Sequence, residues 1–382
     1  MTLDVRQLRQ TEFPWAAAGE SIYLNTASTG PLPRRTVEAV ARFTEMRAAP
    51  HRMTQEIQFG TLTRSRELIA KLIGARTSEI ALATNTSFGL NIAAASLPLG
   101  PGDVVLGYET EFPANVYPWM SAAKHRGFEF RLLPAVKGVP SQQALLDAMA
   151  KPGVKAVAIS WVEFASGYRF DLDVIGAECR RRNIFFVVDA IQGLGPATLD
   201  VRKANIDILA CGAQKWLLSP WGTGFTWVRE ELIGSIEPGF VSWMGVRGSD
   251  DFSRLVDYDL TWRDDARKFE FITLPFQEFA GLNATLELFF ELGPAEIAAY
   301  TGSLADRVLA WARDHQVDVV TPREAAHHAG IVALRLPDSD QRSARLQDAG
   351  VVHSLREGAI RFAPYFFNTS DEIDRALDVL AG

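Results

Sequence analysis

The chain has 382 residues, with 39 Lys+Arg against 46 Asp+Glu and a formal net charge of −7. That length suggests two domains, or one large domain with an appendage, and the 47% hydrophobic and 22% charged fractions are those of an ordinary globular protein. The mild acidity disfavours a general nucleic-acid or anionic-membrane binder, while leaving room for a small anion held locally.

The opening MTLDVRQLRQTEFPW lacks a basic start followed by an apolar core, so no signal peptide is expected. No uninterrupted apolar run reaches the roughly 18 residues that would suggest a membrane span. Cys179 and Cys211 are too few for a metal knuckle or a multi-bridge framework. The expectation is a soluble, cytoplasmic protein with free thiols and no metal.

Short apolar runs follow one another along the chain: Glu79–Ala83, Asp103–Leu106, Phe128–Leu133, Val154–Ser160, Ile184–Val188, Ile206–Ala210 and Gly224–Val228. Between them, Ser87–Ser96 and Val174–Arg182 carry apolar residues at helical spacing. Near-continuous apolar strands separated by helices predict an α/β fold with a mainly parallel sheet covered on both faces. Beyond about residue 290 the texture changes. Ile331–Leu336, Val351–Leu355 and Ala359–Ala363 read as short strands, the last two close enough to be antiparallel. A closing helix follows, opened by a capping box at Thr369 and Glu372 and carrying Ile373, Ala376 and Leu377. The expected division is a large domain over 20–285 and a smaller α+β C-terminal domain over 286–382 with part of 1–19. Its boundary lies in or beside the helical stretch Gly281–Gly293.

In an open parallel sheet, ligands bind at the carboxyl ends of the strands, so the residues that follow each strand matter most. After Glu79–Ala83 come Thr86 and Ser87 at a helix start, where hydroxyls and free N–H groups either cap the helix or cradle a phosphate. Asp189 ends a buried strand; a carboxylate there caps the next turn or meets a cation. Lys215, in Cys211-Gly-Ala-Gln214-Lys215-Trp216, follows the next strand. Desolvation at such a place lowers a lysine's pKa and frees its amine for Schiff-base chemistry. A phosphate cradle, an acidic strand end and a strand-end lysine together match one cofactor, pyridoxal 5′-phosphate, which needs an anchor, an anion at its ring nitrogen and an amine.

These residues, with Tyr23–Gly30, Phe112-Pro-Ala-Asn115, Asp189-Ala-Ile-Gln192, Lys268–Thr273 and Arg361–Thr369, make the sequence resemble the class V aminotransferases. These are fold type I pyridoxal-phosphate enzymes, on the branch shared with cysteine desulfurases, isopenicillin N epimerase and kynureninase. The resemblance spans nearly the whole chain. It implies that Lys215 forms the internal aldimine and moves the α-proton, giving a quinonoid stabilised by Asp189 at the ring nitrogen. Gln192 would contact the phenolic oxygen, Thr86, Ser87 and Gln214 would lie around the cofactor, and Phe112 would stack where desulfurases carry a histidine. Thr273 would reach the phosphate of a neighbouring subunit, implying a homodimer with shared active sites. Arg361 would grip the substrate carboxylate, with Asn25, Ser28 and Trp161 shaping the substrate pocket. Arg356 is a weaker candidate, expected in a solvent-exposed ion pair, and His327–His328 are expected at the surface.

The implied activity is that of an aminotransferase-like enzyme acting on an α-amino acid. The alternatives are a C–S or other β-lyase, an amino-acid epimerase, or a cofactor-binding protein without turnover. A persulfide cysteine is not expected, because Val351–Arg361 contains none and neither Cys179 nor Cys211 stands at that position.

Overall fold

The computed structural model describes residues 3–382. Its centre is a seven-stranded sheet of β1 (Ile80–Ala83), β2 (Val104–Tyr108), β3 (Glu129–Leu133), β4 (Val154–Ser160), β5 (Phe185–Asp189), β6 (Ile208–Gly212) and β7 (Gly224–Val228). The spatial order is β1-β7-β6-β5-β4-β2-β3. Only β7 runs against its neighbours, β1 and β6; every other adjacent pair is parallel. The carboxyl ends of six strands therefore open on one edge of the sheet. All seven strands fall where the apolar runs predict them, with small shifts. The largest is at β6, where Asp207 is held outside the strand because its carboxylate accepts the Phe186 N–H at 2.8 Å.

Alternate residues of each strand point to opposite faces, and the core divides accordingly. Leu82, Leu106, Val157, Ile159, Phe186, Val188 and Leu209 enter one cluster. Ala81, Val105, Ala156, Ala158, Val187, Ile208 and Ala210 enter the other. The first face is covered partly by the helix Gln55–Ile73, which packs on the helix Phe276–Leu292, itself packed against the helix Arg34–Ala48. Burial on both faces explains why these strands read as continuous apolar runs. The edge strand β3 is the exception, its residues largely exposed or half-buried.

The C-terminal part carries its own core. A four-stranded antiparallel sheet orders Ser354–Arg356, Ala359–Phe362, Val332–Arg335 and Asp318–Val319. Leu304, Val308, Leu334, Leu346, Ile360, Phe362, Ile373 and Leu377 pack beneath it with Ile22 and Leu24 from the N-terminal segment. The closing helix Ser370–Ala381 is capped as expected, Thr369 and Glu372 exchanging bonds at 3.2 Å each. The predicted strand Val351–Leu355 is split at His353. Val351–Val352 pairs in parallel with Ile22–Tyr23, while Ser354–Arg356 joins the hairpin to Ala359–Phe362. The helix Phe276–Leu292 is unbroken across residue 285, and its Leu286, Leu288 and Phe289 belong to the large core. We propose the domain division at Gly293, where φ is +85°, with Ile22 and Leu24 assigned to the small unit.

Candidate active site

Two titratable side chains meet at the carboxyl end of the sheet. Asp189 is the last residue of β5, in register with Ser160 on β4 and Ala210 on β6. It is buried, accepts the Ile191 N–H at 2.9 Å, and has no cation within ion-pair distance among the described residues. Burial pushes its carboxyl up to about 6, against the opposing pull of the Ile191 amide and the Lys215 charge. Lys215 lies just beyond β6, in a turn closed by the Leu218 N–H on the Lys215 carbonyl at 3.0 Å. Burial brings its amine down to about 8, with Asp189 opposing the shift and Arg361 reinforcing it. The Lys215 turn is seated on the N-terminal segment: the Gly30 N–H donates to the Gln214 carbonyl at 2.8 Å. A Cβ on Gly30 would come within 2.0 Å of the Lys215 carbonyl oxygen, so only glycine fits.

The helix Thr86–Ser96 begins at the same edge. Asn85 caps it, taking the Phe88 N–H at 3.0 Å, so the Thr86 and Ser87 amides are first-turn donors with no intrahelical acceptor. The Thr86 hydroxyl accepts the Gly212 N–H at 2.8 Å, which ties this helix to the end of β6. Asn85, rather than Thr86 or Ser87, is therefore the cap, and the Thr86 and Ser87 amides are left as free donors at the carboxyl edge of the sheet.

Phe112 places its ring 5.5 Å from Lys215 Nζ and edge-on to Phe164 at 5.3 Å. The Gln192 amide is held on both sides, donating to the Ala27 carbonyl at 3.0 Å and accepting from the Trp216 indole at 2.8 Å. One N–H of Gln192 remains for a ligand oxygen. Trp161 is buried against Gly193, where a Cβ would come within 2.2 Å of the indole. Gln214 is half-buried beside Gly212. Among the described residues no hydrogen bond joins Thr273 to Lys215 or Asp189; it stands two residues after Phe271, whose ring meets Phe88 at 5.5 Å.

The most complete constellation surrounds Arg361. Its guanidinium donates to the Phe164 carbonyl at 2.5 Å and to the Ser28 hydroxyl at 2.9 Å, with Ser354 Oγ at 3.4 Å. Ser28 and Ser354 both donate to Asn25 Oδ1, at 2.8 and 2.6 Å. Arg361 is buried, its Nε has no partner, and no carboxylate lies within ion-pair distance among the described residues. Burial, reinforced by Arg356, lowers its pKa to about 10. A buried guanidinium without an anion is costly unless a ligand supplies one. Arg356 departs from expectation: it is exposed but makes no ion pair among the described residues, and donates only to the Leu355 carbonyl at 3.2 Å. Of the two histidines, His327 is half-buried and stacks on Tyr168, and His328 is buried rather than at the surface.

Sequence reasoning passed over Glu111, Glu163 and Ser354. Glu111 accepts the Ser160 N–H at 2.7 Å, the Ser160 hydroxyl at 2.6 Å and the Asn115 amide at 3.0 Å. This clamp fixes the loop that carries Phe112 over Lys215. Burial pushes the Glu111 carboxyl up to about 7, and burial together with the Glu111 charge pushes the neighbouring Glu163 carboxyl upward as well. Glu111→Ala orphans three buried donors and is expected to cost about 1–3 kcal/mol of stability, read by urea denaturation. An unchanged midpoint would show that the clamp does not hold the loop.

The sequence profile of the class-V aminotransferases matches residues 22–375. The chain belongs to the class-V aminotransferase family. Among curated members, the isopenicillin N epimerase of Streptomyces clavuligerus is 30% identical, the match covering 94% of this chain and 95% of that one. The uncharacterized aminotransferase YcbU of Bacillus subtilis (strain 168) is 27% identical, over 83% of this chain and 82% of its own. The cysteine desulfurase of Thermococcus onnurineus NA1 shares the fold, with a TM-score of 0.87 at 22% identity, covering 100% of this chain and 98% of that one.

The class-V aminotransferases use pyridoxal 5′-phosphate, and the residues here fit it. Asp189 is a buried carboxylate that lacks a cation, which a protonated ring nitrogen would supply. Lys215 offers an amine engaged in no hydrogen bond or ion pair among the described residues. The start of helix Thr86–Ser96 offers donors for a phosphate. This class-V chain keeps both of its cysteines buried. Burial raises the Cys211 and Cys179 thiols above their ordinary range, opposite to what a reactive thiolate needs. Among the described residues, no helix is long and apolar enough to cross a membrane.

Proposed function

We propose that the protein is a pyridoxal-phosphate enzyme that acts on an α-amino acid in the manner of an aminotransferase, working in the cytoplasm as a homodimer. One observation carries the reading: a desolvated lysine and an unpaired buried aspartate occupy adjacent strand ends in a site that also holds an arginine without a counter-ion. When bound, the cofactor supplies an electron sink for the substrate's α-carbon. Asp189 would hold the ring nitrogen, Thr86, Ser87 and Gln214 the phosphate side, and Gln192 a ring oxygen. Arg361 would fork onto the substrate carboxylate, a geometry that guanidinium meets better than ammonium. Asn25, Ser28 and Ser354 hold that fork in place. Phe112 would cover the ring, and it brings no acid or base of its own. With its amine near neutrality, Lys215 is suited to take and return the α-proton at physiological pH. Trp161 would shape the pocket from behind Gly193.

Exposed apolar side chains at Trp221, Phe240, Trp243 and Phe271 lie in the segments near Thr273, and we place the second subunit there. Patches of this kind mark association surfaces.

A β-lyase or an epimerase would use the same residues. The epimerase is kept as a reading because a 30% identical relative is an epimerase, and the β-lyase because it starts from removal of the same α-proton. A persulfide-relay desulfurase is not proposed, since the hairpin before Arg361 carries Ser354 rather than a cysteine. The test incubates the cofactor-loaded enzyme with single amino acids and follows keto acid, pyruvate, thiol and α-hydrogen exchange together. Keto acid formed only with an acceptor supports transamination; pyruvate without an acceptor, or exchange without net product, would replace it by the lyase or the epimerase.

A second test needs no cofactor. Only the neutral amine reacts with trinitrobenzenesulfonate, so the Lys215 modification rate should rise with a midpoint near pH 8, where an ordinary lysine titrates near 10.5. The sign follows from loss of the ammonium proton as pH rises. Peptide mapping that places the midpoint above 10 would show that the amine is not desolvated.

A further inference from the structure

A cavity of about 330 Å³ adjoins the Arg361 clamp. Phe164 lines it while giving its carbonyl to Arg361. Ala359, two residues before Arg361 on the same strand, lines it too, and residues two apart on a strand share a face. Glu111 and Pro113, on either side of Phe112, line it as well. The volume is at the lower end of the range for small-molecule sites.

Its lining carries three cations and three carboxylates, and among the described residues none of the cations is ion-paired with any of those carboxylates. Lys137, Arg335 and Arg356 line it. Lys137 and Arg356 have no carboxylate partner among the described residues, and the only partner of Arg335 is the exposed Asp318 at 3.4 Å. Facing them are Glu109, Glu111 and Glu357. Glu111 is turned inward onto Ser160 and Asn115, and Glu109 gives one oxygen to the Ala135 N–H at 2.9 Å. Glu357 stands in the exposed hairpin turn beside Arg356. The positive field of Arg356 also reaches inward, acting on both Lys215 and Arg361.

We propose that this cavity is the side-chain subsite, and that Arg356 selects α-amino acids whose side chain ends in an anion. The proposal rests on the amino-acid reading of Lys215 and Arg361. It assigns Arg356 to specificity rather than to the bond-breaking steps.

The test loads the enzyme with pyridoxal 5′-phosphate in deuterated water and follows α-hydrogen exchange. The substrates are L-2-aminoadipate, its terminal amide, L-lysine and L-alanine. For a charge pair in water-like surroundings, kcat/KM for aminoadipate should exceed that for the amide and for lysine by about tenfold. Arg356→Ala should shrink this ratio to below about threefold, and Arg356→Lys should restore most of it. In the cofactor-free protein, adipate should raise Tm more than hexanoate does, and Arg356→Ala should erase the difference. Equal rates for acid and amide, a preference for lysine, or a ratio unchanged in Arg356→Ala would each overturn the proposal while leaving the amino-acid reading intact. No exchange with any amino acid, alanine included, would overturn that reading and this proposal with it.

Discussion

Lys215→Ala is expected to abolish the visible absorbance that pyridoxal 5′-phosphate gains on binding the wild-type protein, and to lower turnover by about 10²–10⁴-fold, the range for a lost general acid–base group. The expectation rests on position. Lys215 Nζ stands 5.5 Å from the Phe112 ring, and it is the only lysine among the described residues that acts on Asp189. A folding defect is not the cause to expect. The amine is near 8 in the folded chain against 10.5 ordinarily. Below pH 8 both folded and unfolded chains hold the proton, and the folded one bears its desolvation. Between pH 8 and 10.5 the unfolded chain still holds a proton that the folded chain has released, so stability rises with pH across that window. Removing the ammonium should therefore leave Tm unchanged or raised at pH 7, with the gain fading toward pH 10. Retention of the absorbance in Lys215→Ala would sink the assignment, and Lys215→Arg, which keeps the charge without a reactive amine, should behave like the alanine variant.

Arg361→Met should raise KM for amino acids on the order of 10²-fold or more, since losing a buried, hydrogen-bonded charge partner costs about 2–5 kcal/mol of binding. Without a ligand the same substitution should not lower Tm. The guanidinium is buried with an orphaned Nε and no counter-ion among the described residues, and an apolar isostere avoids that desolvation. The opposed signs distinguish a substrate clamp from a structural arginine, which would lose stability and leave KM alone. Measuring Tm and KM on the one variant decides between them. Arg361→Lys should recover only part of the affinity, because ammonium cannot fork across Phe164, Ser28 and a carboxylate together.

What the sequence disclosed followed from local physics. Most strands of the large sheet were legible because both faces are buried, which makes β1, β2, β6 and β7 apolar throughout, while the edge strand β3 carries Glu129 and Arg131. Lys215, Asp189, Thr86 and Ser87 were legible because strand ends and helix starts are marked by neighbours in sequence. Ser354 was not, because its role depends on meeting Asn25, 329 residues away. Glu111 was hidden for the same reason: its partner Ser160 lies 49 residues on, and a glutamate in a loop reads as solvated. The split at His353 was invisible because pairing with Ile22–Tyr23 has no local signature. Arg356 reads in the sequence as an ordinary surface ion pair, but no carboxylate among the described residues pairs with it.

The bond from Arg361 to Ser28 spans 333 residues, and Gly30 seats the Lys215 turn. The proposed substrate clamp thus joins two segments that are far apart in the chain. During synthesis the sheet ends that carry Asp189 and Lys215 are made well before Arg361, so the nascent chain holds an amine and a carboxylate with no substrate clamp. Non-local closure of this kind is slow to form. A release-arrested chain ending before residue 350 should therefore take up cofactor more readily than amino acid, making the enzyme a carrier before it is a catalyst.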